Sequence, residues 1–484
     1  MRVDDPQPIQ PTDYDTSWAA RLTDPEGTLA YPRLVGYLMS RQHPDGSWGG
    51  RLPYVHDRLL TTLAVLLLIA RVGNRQRDRE QRVEGERYIW RHVNELHRDA
   101  YRTIGFEMIL PTLLAEGKEL GLNLPYDQLR HYEKERAEKL RLLPTRQFFE
   151  TVTSALFSLE AFSGEAGLQR APELLLENGS MATSPSATAF LLGCFTEWRS
   201  RYPESVAYLE DLLDQGRPGL PTVAPTDVFM RTWMIYNLQY GELLAGHTNA
   251  LKAHCEYLQE HLGARGVGWA SSGIPDSDDT AVALLVLKRT GYEADGRCLL
   301  AYERDQHFAV LDHERDPSVS ANLHILEALE TLPEKERPRV RDKILSYLLR
   351  VRYHGTFWQD KWHVSPYYPT STALKILSSY VPEELDPTLR WLFSTQHTNG
   401  AWGIYMPTSE ETALTLLSLL YYHRTIRPLD PAPLHRAAEY LLAAEHPFAN
   451  DYPELWISKV LYAPSFAIKS SVLAALGLYN DTLG

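Results

Sequence analysis

The chain is short of basic charge, of cysteine, of long apolar runs and of strand-like alternation, and each shortage removes a class of protein. Its 49 Lys and Arg are outnumbered by 62 Asp and Glu, a net charge of −13. No broad cationic surface is therefore on offer to nucleic-acid phosphates. Cys194, Cys255 and Cys298 are far apart and form no CxxC pair, which excludes a cysteine-rich metal site and fits a reducing compartment. The longest apolar run, LLTTLAVLLLIA at 59–70, is too short to span a bilayer and reads as a buried core helix. The first residues, MRVDDPQPIQPTDYD, are acidic and proline-containing, unlike a targeting peptide, so a cytoplasmic location is expected. No glycine-rich phosphate loop occurs.

What is present reads mostly as helices of ordinary length separated by Pro- and Gly-containing turns, which favours an all-α architecture. A weak repeat runs through it. QHPDGSWGG at 42–50 returns as QHTNGAWGI at 396–404, and NGSMATSPSATAF and GVGWASSG are looser echoes. A repeated turn leading into a helix implies stacked helical hairpins, as in an αα-barrel, with each Gln and Trp tying one hairpin to the next. The 11 Trp and 27 Tyr serve either core packing or an aromatic-lined pocket for a large apolar or cationic guest.

One stretch concentrates chemistry. In IPDSDDTA, Asp276, Asp278 and Asp279 fall within four positions, just before an apolar run that propagates a helix. Aspartates at a helix start cap free N–H groups and suit the positive end of the dipole. Crowded, buried carboxyls also raise one another's pKa, which keeps an acid protonated at neutral pH. An aspartyl phosphotransferase would need a buried strand before Asp276, and GVGWASSGIP makes a poor one. A calcium loop would need further oxygen ligands and a closing Glu, which are missing.

The order of several fragments resembles the class II diterpene cyclases along nearly the whole chain: DYDTSWAARL, QHPDGSWGG, HDRLLTTLAVLL, GFEMILPTLLAE, NGSMATSPSATAF, LPTVAPTDVFMRTW and GVGWASSGIPDSDDTA. The resemblance implies two αα-barrel domains, the β and γ domains of that family, the second inserted into the first. Residues 1–28 with 226–484 would carry the DxDD acid, and 29–225 would be the insert. It implies protonation of the terminal alkene of geranylgeranyl diphosphate, closure of two rings and retention of the diphosphate. Asp278 would be the proton donor, tuned by Asp276 and Asp279 and positioned by His324, with Asn322 beside it. Lys139 and Lys361 match lysines that hold the diphosphate. Mg²⁺ would be held by Glu95 and Asp99 in ELHRDAYRTIGFE, where Leu96 replaces one acid of the family's EDxxD element.

Alignment on the family also bears on the product. Phe157 stands where relatives that deprotonate early have a His, and Thr222 where they have its Asn partner; Trp269 is a further pocket residue. Phe cannot accept a proton, so a rearranged bicycle of halimadane or clerodane type, with kolavenyl diphosphate leading, is expected. Unrearranged copalyl diphosphate, or a drimenyl-type product from farnesyl diphosphate, is the alternative. No DDxxD element for ionising diphosphates occurs, so a separate class I terpene synthase or a phosphatase is the expected consumer of the product.

Overall fold

The two QH turns recur because each performs the same task with the same atoms. Gln42 Nε2 donates to its own turn at Gly46 O (2.9 Å) and to Gln81 O on a neighbouring helix (2.9 Å). Gln396 Nε2 does the same to Gly400 O and Pro433 O, both at 2.8 Å. Trp48 and Trp402 are fully buried, and each indole N–H donates to a carbonyl ten residues earlier, Leu38 O and Leu392 O. Their backbone N–H groups donate to Thr62 and Thr412 on the helix that follows. A third copy, invisible to the motif, is built around Trp358, which bonds Leu348 O and Thr370 Oγ1. Gly46 and Gly400 take φ of +93° and +87°, the left-handed region where glycine carries no steric penalty.

The computed structural model describes residues 9–73, 75–142, 149–214, 218–312, 314, 316–444 and 451–484. The first eight residues of the chain, assigned above to the acid-carrying domain, lie outside the described residues. Among those described, the architecture is all-α, with one two-stranded antiparallel hairpin, Trp456–Ile457 against Leu461–Tyr462. No described helix is long and apolar enough to cross a membrane.

The chain divides into two units, and each is built around helices buried on every side. In the unit comprising Thr226–Leu455 and Ala463–Gly484, six helices close a ring in which each packs on the next. They are Asp227–Tyr240, Ser277–Arg289, Val319–Glu327, Tyr367–Leu377, Ser409–Thr425 and Ser465–Leu483. Every residue of Tyr367–Leu377 is buried, as expected of a helix with no water-facing side. Arg337–Arg350, which packs outside the ring, instead buries only Val340, Ile344, Tyr347 and Leu348, a single stripe at helical spacing.

In the unit comprising Ile9–Pro225 and Trp456–Tyr462, Asp13–Ala19, Val55–Val72, Phe106–Glu119, Ser154–Phe162 and Pro185–Gly193 likewise close on one another. The run at 59–70 is the buried centre of Val55–Val72. The division differs from the expected one in two places. Residues 9–28 belong here, because Tyr14 donates to Glu160 (2.9 Å), Asp15 accepts from Ser186 N (3.3 Å), and Trp198 donates to Thr23 O (2.8 Å). The hairpin 456–462 also belongs here, since Leu461 N donates to Asp57 and Ile104 N to Ser458 O.

Candidate active site

Asp276 ends the extended segment before the helix Ser277–Arg289 and caps it. Its Oδ1 accepts from Asp278 N (2.9 Å) and Asp279 N (2.8 Å). A short polar side chain in β conformation at this position is what the first free N–H groups of a helix require. No strand precedes Asp276, which removes the arrangement an aspartyl phosphotransferase would need.

Capping accounts for one aspartate and leaves two. All three are buried. Burial first, and then the nearness of Asp278, pushes the Asp276 carboxyl up, against hydrogen bonds from Asp279 and the backbone that favour its charged form. Burial, then the charge of Asp276 and the hydrogen bond between the two carboxyls, pushes Asp279 well above the carboxylate range. Both carboxyls are thus pushed towards their protonated forms, as expected when two carboxyls share a dry site.

Asp278 has a different partner. Its Oδ1 lies 2.6 Å from Nδ1 of His324, on the helix Val319–Glu327. The imidazole is held edge-on by Trp233 and Tyr236, both with ring centroids 5.6 Å away. The helix under His324 is fixed in turn by Asp360, which accepts from Val319 N (2.6 Å), Ser318 Oγ (3.0 Å) and Ser320 Oγ (2.8 Å). Behind the imidazole, Tyr236 donates to Glu327 (2.8 Å), which also pairs with Arg289 (2.6 Å) and Tyr240. Burial works to raise the Glu327 carboxyl, but Arg289 and Lys375 hold it below its usual value. Lys375, buried with its ammonium over Tyr240 (4.1 Å) and Tyr236 (5.0 Å), is pushed down to about 8 by burial. Sequence reasoning missed Asp360, Tyr236, Glu327 and Lys375, because each stands in an ordinary helix or turn with no motif around it.

Asn322, expected beside the acid, is committed elsewhere. Its Nδ2 donates to Phe308 O and Ser318 O, and its Oδ1 accepts from Phe308 N. Two residues before His324 on one helix, it faces another direction. Its place is in holding the loop at 308.

The cations expected for a diphosphate already have carboxylate partners. Lys361 Nζ is 2.5 Å from Glu314 and sits 4.9 Å from the Trp362 ring centroid. Lys139 pairs with the buried Glu107. Trp269 is half-buried, and its carbonyl accepts from Phe229 N (3.0 Å).

Glu95 and Asp99, expected to hold magnesium, each have protein partners. Glu95 pairs with His92 (2.7 Å) and Arg98 (3.0 Å), and the His92 hydrogen bond holds its carboxyl below the usual range. Asp99 Oδ2 is taken by both Nδ1 (2.7 Å) and backbone N (2.8 Å) of His56. Among the described residues, no three His, Cys, Asp or Glu side chains group so as to hold a metal ion.

Phe157 and Thr222 lie among buried polar groups. Thr222 Oγ1 approaches Ser458 Oγ at 3.4 Å. Phe157 is contacted by Lys459, a fully buried lysine that sequence reasoning passed over. The signal was there in WISKVLY, a lysine inside an apolar run.

A scan against protein-family models finds no match. Among curated proteins, the chain is 32% identical over 494 aligned positions to the type B diterpene cyclase of Mycobacterium tuberculosis, covering 98% of this chain and 96% of that one. It is 30% identical over 509 positions to a copalyl diphosphate synthase of Streptomyces anulatus, covering 96% and 88%. Among solved structures, ent-copalyl diphosphate synthase from Streptomyces platensis matches with a TM-score of 0.80 at 28% identity, over 98% of this chain and 96% of that one.

Proposed function

The chain belongs to the class II diterpene cyclases, an enzyme family, and on that premise we propose that it converts geranylgeranyl diphosphate to a bicyclic diterpenyl diphosphate by proton-initiated cyclisation. The observation that carries this reading is the 2.6 Å pairing of Asp278 with His324 at a capped helix start, beside two further buried carboxyls.

An alkene is a very weak base, so its proton must come from an undissociated carboxylic acid whose conjugate base is stabilised once the proton has left. In the proposed cycle His324 donates Nδ1–H to Oδ1 of Asp278, leaving the transferable proton on Oδ2. That proton forms a new C–H bond at the terminal double bond, and the π electrons of the next two double bonds close two C–C bonds in turn. Asp278 is left as a carboxylate in the first turn of a helix, where the dipole and the His324 hydrogen bond both favour negative charge. The raised carboxyls of Asp276 and Asp279 favour protonation of that second pair, which limits repulsion of the new anion. Loss of a proton from the final carbocation completes the isomerisation, and the C–O bond to the diphosphate is never broken. Lys361 and Lys139 are the cations proposed for the diphosphate, exchanging Glu314 and Glu107 for phosphate oxygens.

For the product, Phe157 supports a rearranged halimadane or clerodane skeleton such as kolavenyl diphosphate, since a phenyl ring cannot take the proton that ends the reaction early. The relatives named copalyl diphosphate synthases equally support an unrearranged bicycle. A class I terpene synthase or a phosphatase is the proposed consumer, because the diphosphate ester survives. The test is incubation with geranylgeranyl and, separately, farnesyl diphosphate, followed by enzymatic dephosphorylation and identification of the alcohol. A cyclic C20 alcohol is the expected result; a linear C20 alcohol, whatever farnesyl diphosphate yields, would overturn the reading.

A further inference from the structure

Lys459 is the least expected charge in the molecule. Its side chain and that of Glu160 are both 0% exposed, and burying a pair of ions costs more than an apolar pair of the same size unless the geometry is very good. Here it is. Four acceptors surround the three N–H groups of Nζ: Phe157 O (2.8 Å), Glu160 Oε1 (2.9 Å), Ser184 Oγ (2.6 Å) and Ser186 Oγ. It also lies 4.7 Å from the ring centroid of Phe157 and 5.8 Å from that of Tyr14. Around it, Tyr14 donates to the same Glu160 oxygen at 2.9 Å, and Asp15 accepts from Ser186 N. The other oxygen, Glu160 Oε2, is buried with no partner.

Phe157 and Glu160 lie in a segment of irregular backbone. Ser154–Phe162 is a run of 3₁₀ turns broken at Ser158, whose φ and ψ are −115° and 47°. Such turns are short and marginal by themselves. Gly105 abuts the break, since a Cβ there would come within 2.8 Å of Ser158 Oγ. The Phe157 carbonyl, just before the break, takes a hydrogen bond from a residue 302 positions away in sequence.

We propose that Lys459 is a positioning residue for product outcome: by gripping both the carbonyl and the ring face of Phe157, it fixes the place of the side chain that decides where the carbocation is quenched. This rests on the product-control reading of Phe157 given above. A cation's competing exits differ by little energy, so a small displacement of a residue that controls the product is read directly as a changed product ratio.

The test compares the product ratios of Phe157→Ala, Lys459→Met/Glu160→Gln and Ser186→Ala with that of the unaltered enzyme, using geranylgeranyl diphosphate. The double variant removes both buried charges together. Ser186→Ala removes one contact to the ammonium and leaves the helix cap at Ser184 in place. Thermal unfolding of each variant is recorded alongside. The expected result is a change of about tenfold in the ratio of the two main products for the double variant, in the direction of Phe157→Ala, and a smaller one for Ser186→Ala. Lowered stability or rate with an unchanged ratio in the folded variants would reduce Lys459 to a packing role and overturn the proposal. If the double variant does not fold, Ser186→Ala decides by the same criterion. If Phe157→Ala itself leaves the ratio unchanged, the reading of Phe157 fails; if it shifts the ratio and the other two do not, only the inference about Lys459 fails.

Discussion

Nδ1 of His324 and Oδ1 of Asp278 meet at 2.6 Å across 46 residues of sequence, on two helices adjacent in one closed ring. Each helix start is fastened by a buried aspartate, Asp276 for the first and Asp360 for the second. The pair is therefore set by two capped helices and two aromatic edges, and very little of it is left to rotamer freedom.

Asp278→Asn is expected to lower the cyclisation rate by a factor on the order of 10³, the range that a single general acid supplies. The fold should survive, since the amide keeps the carboxyl's shape. Steady-state formation of cyclic product, with circular dichroism as the fold control, checks it; full activity in this variant would remove Asp278 as the acid.

Asp279 gives a pH dependence of defined sign. Its folded pKa is raised, so the folded chain holds a proton that the unfolded chain has released. The stability this contributes is complete below about pH 3.9, the unfolded value, and falls as pH rises towards the folded value. Each unit of the upward shift amounts to about 1.4 kcal/mol lost above it. Asp279→Asn, always neutral, should unfold at a higher temperature than the unaltered protein at pH 8, with the gap closing in acid. Scanning fluorimetry across pH reads this directly, and a lower unfolding temperature at pH 8 would contradict it.

Phe157→His should move the product towards early deprotonation, with copalyl-type alcohol rising in the dephosphorylated mixture at the expense of rearranged skeletons. If the unaltered enzyme already makes copalyl diphosphate as its main product, the rearrangement reading is wrong, and the substitution will change little.

Lys361 must leave Glu314 to bind a phosphate. Removing its charge by Lys361→Met should raise KM for the prenyl diphosphate about tenfold, a cost on the order of 1.4 kcal/mol for one charge-assisted contact. Glu314→Gln, which frees the ammonium, should move KM the other way. Equal KM values in all three proteins would place the diphosphate elsewhere.

Trp402→Ala deletes a fully buried indole and its hydrogen bond to Leu392 O. Such deletions cost about 3–5 kcal/mol, so the variant should unfold many degrees earlier. Thr412→Val, which removes only a hydroxyl partner, should cost about 1 kcal/mol. The ordering of the two unfolding temperatures is the measurement.

Much of this protein is local and could be read from its residues. Helical periodicity, the cap at Asp276 and the QH turns follow from spacing alone, because a turn or a helix start is satisfied within a few residues. The third turn, around Trp358, escaped because its Gln and Gly positions have changed while its two Trp hydrogen bonds have not.

Closure of the two rings decided the rest. Resemblance named His324 as the partner of the acid with Asn322 beside it; packing sets His324 against the acid and spends Asn322 on Phe308 and Ser318. The fold sets Asp99, expected as a metal ligand, against His56, and the hairpin brings Lys459 to Phe157. A buried polar group must find its partners wherever the chain closes. The residues alone fixed which groups needed partners, and only the tertiary structure determined which groups met.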